Sequence, residues 1–61
     1  MESKEIKIRG FRLVETSSGY NIYVGGDTAP SGYISNRCYE ENKDDTDVLY
    51  NILYNVVYLP F

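Results

Sequence analysis

Residues 40–59 constrain the fold of this chain more than any others. Glu40, Glu41, Asn42, Lys43, Asp44, Asp45, Thr46 and Asp47 form an acidic run, and it leads directly into residues 48–59, VLYNILYNVVYL. This second stretch is the only one apolar enough to organise a core. On a helical wheel Val48, Leu49, Ile52, Leu53, Val56, Val57 and Leu59 cover one broad face, with Asn51 and Asn55 as a narrow polar stripe opposite. Tyr50, Tyr54 and Tyr58 then line one edge at i, i+4, i+8. As a strand, the stretch would gather Val48, Tyr50, Ile52, Tyr54, Val56 and Tyr58 on one face, but would mix leucines with both asparagines on the other. A strand of this length is uncommon. A helix also has its start signal: Asp44, Asp45 or Thr46 can cap the first N–H groups, and carboxylates in the first turn suit the helix dipole. Pro60 supplies the stop. A helix is therefore predicted, against the weak opposition of its β-branched and tyrosine content.

The N-terminal half reads as sheet. Ile6-Lys7-Ile8-Arg9 alternates apolar and basic residues, the period of a half-buried strand. Gly10 shifts the phase, since Ile6 and Ile8 are even-numbered while Phe11 and Leu13 are odd. A β-bulge at Gly10 would restore all four to one face; the alternative is that Gly10 ends the first strand in a bend. Residues 15–19, ETSSG, have turn chemistry. Residues 20–24 resume as a strand with Tyr20, Ile22 and Val24 on one face and Tyr23 on the other, so residues 5–14 are expected to form a hairpin with 20–25. Residues 25–32, GGDTAPSG, are a loop. Residues 33–39, YISNRCY, form a third strand with Tyr33, Ser35, Arg37 and Tyr39 on one face and Ile34, Asn36 and Cys38 on the other, though the apolar contrast between these faces is poor.

The 61 residues are enough for one small domain. A chain this short buries only about 60% of its unfolded surface, so association of two copies is an open route to extra burial. The lone Cys38 excludes an internal disulfide, and the absence of histidine excludes a Cys/His zinc site. A free cysteine, a charged N-terminus with no apolar segment after it, and an apolar tail too short to span a bilayer point to a cytoplasmic protein.

Few groups here carry chemistry. There is no histidine to act as a near-neutral base, and no residue positioned to activate Cys38. The acidic run lacks the spacing and the central glycine of a calcium loop, and Gly25-Gly26 belongs to no phosphate-binding motif. No catalytic residue, metal or cofactor is expected. Seven tyrosines in so short a chain are the positive signal. Tyrosine gives large contact area at low entropic cost and is enriched where proteins bind one another. Residues bordering a core with their hydroxyls in water would look the same. The charge is partly segregated: Lys4, Lys7, Arg9 and Arg12 lie near the start, while Glu40, Glu41, Asp44, Asp45 and Asp47 sit together later, for a net charge of −3.

The expected fold is α+β: a small three-stranded antiparallel sheet with one C-terminal helix packed on one face, in the order β-β-β-α. The expected function is that of a small acidic protein-binding module, an inhibitor or regulator. It would dock on a partner protein through an acidic and tyrosine surface formed by Tyr50, Tyr54, Tyr58, Glu40, Glu41, Asp44 and Asp45. Such a surface suits a basic groove, and in size and character the chain is similar to small inhibitors encoded by phages and mobile elements. The alternative is a DNA-binding domain that reads through its sheet. In element order the chain resembles the sheet-reading domains of phage-type integrases and plant AP2 factors, which implies Lys7, Arg9, Arg12 and Arg37 as DNA contacts. Those domains are usually basic, and an acidic chain is poorly suited to neutralising phosphates.

Overall fold

The phase change at Gly10 is resolved by folding back. The structure, a computed structural model, describes residues 4–59, and within them the chain forms β1 (Glu5–Ile8), β2 (Phe11–Glu15), β3 (Gly19–Val24), β4 (Gly32–Ser35), α1 (Asn36–Asn42) and α2 (Thr46–Tyr58). Arg9 and Gly10 make a two-residue connection that pairs Ile8 with Phe11 and Ile6 with Leu13. Directly opposed residues of an antiparallel ladder share a face, so the four apolar side chains converge without a bulge. Arg9 takes the turn at φ 51°, in the left-handed region. The four strands run as an antiparallel meander in the order β1-β2-β3-β4. The fold is α+β with an antiparallel sheet and a C-terminal helix, as expected, but the sheet has four strands rather than three because the expected first strand is itself a hairpin.

The β2–β3 turn follows its chemistry. Thr16 Oγ1 accepts hydrogen bonds from the N–H groups of Ser18 (3.3 Å) and Gly19 (3.0 Å), and the Thr16 N–H donates to Gly19 O (2.7 Å).

The expected third strand stops at Ser35. The Ser35 hydroxyl accepts from the Cys38 N–H at 3.1 Å and starts α1, so Arg37, Cys38 and Tyr39 are helical and do not alternate across the sheet. This explains the poor contrast of residues 33–39, which are half strand and half helix. The acidic run is likewise divided. Glu40 and Glu41 belong to α1, and Asp45 is the residue that caps α2, its Oδ1 accepting from the Val48 N–H at 3.2 Å. Leu59 closes α2 with its N–H on Asn55 O (2.9 Å). Pro60, expected to stop this helix, and Met1 to Ser3, part of the charged N-terminus, lie outside the described residues.

One core lies between the sheet and the helices. It comprises Ile8, Phe11, Leu13, Tyr20, Ile22 and Ile34 from the strands and Tyr39, Leu49 and Leu53 from the helices. Leu13 and Ile22 oppose one another on the two central strands, and both are fully buried, as is Leu53. The apolar face of α2 is wider than what the sheet covers. Leu49 and Leu53 are buried and Ile52 and Val57 half-buried, but Val48, Val56 and Leu59 remain exposed.

Two glycines allow close approach. At Gly32 a Cβ would stand 2.9 Å from Val56 Cγ1, so α2 packs down onto β4 where a side chain is missing. At buried Gly19 a Cβ would strike the Ile34 carbonyl oxygen and lie 2.9 Å from Ser35 Cα. Gly19→Ala is therefore expected to destabilise the fold by about 1–3 kcal/mol through overpacking against backbone. Gly26→Ala, with open space around it, should stay within about 0.5 kcal/mol of the parent. Urea unfolding of the two variants checks this, and equal midpoints would contradict it.

Candidate functional site

Residues four apart on a helix stack on one side of it, so α2 presents Tyr50, Tyr54 and Tyr58 as a single row. The fold sets Phe11 of β2 against this row. The Phe11 ring lies 5.7 Å from Tyr50 and 6.2 Å from Tyr58, centroid to centroid, and Tyr54 lies 6.3 Å from Tyr50 and 4.8 Å from Tyr58. All four contacts are tilted, a geometry that aromatic quadrupoles favour. Together with Gly10 and Val24 these rings line an open groove of about 330 Å³. Tyr50 is half-buried at its base, whereas Tyr54 and Tyr58 keep 43% and 49% of their surface in solvent. Gly10 leaves the mouth clear, since nothing lies within 4 Å of where its Cβ would stand.

Arg9 stands beside the row. Its guanidinium sits 4.5 Å from the Tyr50 ring centroid and is ion-paired with Asp47 in the first turn of α2. Neither Phe11 nor Arg9 was placed beside the tyrosines by sequence reasoning. Phe11 reads only as a core strand residue, and the single hint about Arg9 is that it precedes the phase-shifting Gly10.

The four acidic residues expected to act with the tyrosines do not line the groove. Glu40 pairs with Lys43 at 2.8 Å and Glu41 with Arg37 at 3.2 Å, Asp45 caps α2, and Asp44 lies exposed in the link between the helices. The acid that does stand next to the tyrosine row is Asp47. The Lys43 hydrogen bond holds the Glu40 carboxyl below the ordinary glutamate value of 4.5, and the same bond raises Lys43 above its usual 10.5.

The face of the sheet away from the helices carries a second group. Lys7, Arg12 and Tyr23 are aligned across β1, β2 and β3. Arg12 lies 4.9 Å from the Tyr23 ring centroid and donates to Gly25 O (3.0 Å) and Asp27 O (2.9 Å), with Glu5 at 3.7 Å. Lys7, Arg9 and Arg12 border a hollow of about 230 Å³ at the β1–β2 tip. Arg37, expected with this basic group, is carried off to α1. Cys38 is half-buried against the core, its carbonyl accepting from the Asn42 side chain at 2.8 Å. Among the described residues no group of three or more carboxylate or thiol side chains could hold a metal ion, and no helix is long and apolar enough to cross a membrane.

The Glu40–Lys43 pair has a defined pH window. A depressed carboxyl pKa contributes stability above the unfolded value and loses it as pH falls through the folded one. A raised lysine pKa contributes below its unfolded value and loses it as pH rises through the folded one. The pair thus supports α1 fully between about pH 4.5 and 10.5, and its support is lost as pH falls below 4.5 or rises above 10.5. In an NMR titration Glu40 is expected to show a midpoint below 4.5, and Lys43→Ala should move it back up towards the ordinary value.

No known protein family, curated protein or solved structure matches this chain.

Proposed function

We propose that this chain is a protein-binding module, of inhibitor or regulator type, that docks on a partner protein through the groove of Phe11, Tyr50, Tyr54 and Tyr58. The observation that carries this reading is that four aromatic rings from two distant parts of the chain border one open groove, with two of them about half exposed. Each tyrosine is held by its neighbours, so binding orders little that is loose, and tyrosine offers large apolar area with a polar tip. The groove is at the small end for a ligand site, which suits one or two side chains of a protein segment. Glu40, Glu41 and Asp44 are exposed on α1 and the link. Exposed ion pairs such as Glu41–Arg37 are worth about 0–1 kcal/mol and are readily given up to a basic partner surface. These acids are a secondary contribution, and the aromatic row is the anchor. A module of this kind acts by occupying its partner's surface, which is how a small chain inhibits or regulates.

Affinity capture from cells of its source, followed by titration of the purified pair, tests the reading. Tyr54→Ala and Tyr58→Ala are each expected to raise Kd by about tenfold or more, the loss typical of an interface anchor. Both residues are exposed, so circular dichroism should show the fold intact. Unchanged affinity in both variants would overturn the proposal.

One observation favours a second reading, DNA binding through the sheet: the row Lys7, Arg12, Tyr23 lies on the face that the helices leave open. Duplex binding that weakens steeply with salt, and is lost on Lys7→Ala, would support it. No binding at low salt would remove it.

A further inference from the structure

We propose that β1 is a self-association edge, through which two copies of this chain pair antiparallel about a two-fold axis at Ile6. β1 is the first strand of the meander and, among the described residues, has a neighbour on one side only. The direction of its backbone groups follows from the ladder. The Glu15 N–H donates to Lys4 O at 2.9 Å, and Ile6 and Ile8 oppose Leu13 and Phe11. Alternation then turns the N–H and C=O groups of Lys4, Ile6 and Ile8 towards β2, and those of Glu5 and Lys7 towards the free edge. An uncovered edge of this kind is a template for another strand.

The charges select one register. Antiparallel pairing of two copies has to bring outward-facing residues opposite one another, and β1 offers three ways to do so. Glu5 opposite the partner's Glu5 places like charges at the axis, and Lys7 opposite the partner's Lys7 does the same. Only Glu5 opposite the partner's Lys7 is complementary, and the symmetry makes it so twice, once on each side of the axis. Directly opposed unlike charges stabilise a strand pair and like charges destabilise it. Glu5 and Lys7 are both exposed, and Arg12 holds Glu5 only at 3.7 Å. The same register sets Ile6 against the partner's Ile6 in the closer, non-hydrogen-bonded type of pair. Ile6 points to the helix side of the sheet yet stays half-buried because it is on the edge, and a second copy would cover it. A lysine on an edge strand is commonly a guard against pairing. The alternation Glu5-Ile6-Lys7 turns that guard into a key for its own copy. The result is one continuous eight-stranded sheet, doubled from the four strands of each copy.

The strand is short, so the dimer is a weak and reversible one. Sedimentation equilibrium on the full chain is expected to show a monomer–dimer equilibrium that shifts to dimer as concentration rises towards about 1 mM. Lys7→Glu and Glu5→Lys should each raise the dimer Kd by about tenfold or more, because both opposed pairs become repulsive. Mixing the two variants restores complementarity at both pairs and should yield a heterodimer, and the double variant Glu5→Lys/Lys7→Glu should pair with itself. If Glu5→Lys fails to fold beside Arg12, Lys7→Glu, which leaves Glu5 in place, carries the test. A wild-type chain that stays monomeric up to about 1 mM overturns the proposal, as does a dimer that the charge reversals leave unchanged. This surface is separate from the aromatic groove, so Tyr54→Ala should not alter the equilibrium.

Discussion

The opposition of Leu13 and Ile22 across the two central strands, sealed by Leu49 and Leu53 of α2, is the contact on which the rest of the structure depends. These side chains are almost fully withdrawn from water. At about 1.5–3 kcal/mol for each large aliphatic group buried, they supply a large part of the driving force open to so small a chain. They also set the register. A one-residue slip between β2 and β3 would turn Leu13 and Phe11 out to solvent and bring Arg12 into the core.

Having one buried layer leaves the molecule with surfaces that fold alone does not use. The helices cover one face of the sheet, so on the other Lys7 is exposed and Arg12 and Tyr23 are only half-buried. α2 carries more apolar surface than a four-stranded sheet of short strands can cover, so Tyr54, Tyr58, Val48 and Val56 keep much of theirs in water. Among the described residues the meander ends at β1 without a further neighbour. The aromatic groove, the open basic row and the free edge therefore share one origin, the small size of the core.

Much of this was legible in residue order. The turn at Thr16 to Gly19 was marked by small polar residues and glycine, and the 3.6-residue period of residues 48–59 together with an acidic cap marked α2. The three tyrosines were recognisable as a row because helical spacing is local. Two features were not. Whether residues 5–14 bulge at Gly10 or bend there is open in the sequence because a bulge and a tight turn produce the same change of phase, and only the pairing of Ile8 with Phe11 separates them. α1 was hidden because Ser35 can end a strand or cap a helix with the same side chain. That ambiguity moved Arg37 and Tyr39 off the sheet and split the acidic run.

By itself the sequence determined many of the local elements: that residues 5–14 and 20–24 alternate, that the chain turns at Thr16 to Gly19, that residues 48–59 are helical and which edge of that helix is aromatic. These depend on backbone preference and on neighbours within a few residues. Only the tertiary structure decided what meets that aromatic edge. Phe11 and Arg9 reach it across about forty residues of chain, and Glu40, Glu41, Asp44 and Asp45 do not line the groove although they immediately precede it in sequence. Proximity along a chain says little about proximity in a fold when a helix turn and a link intervene. The groove is made by long-range packing on the core, and for that reason it could be seen only once the core was in place.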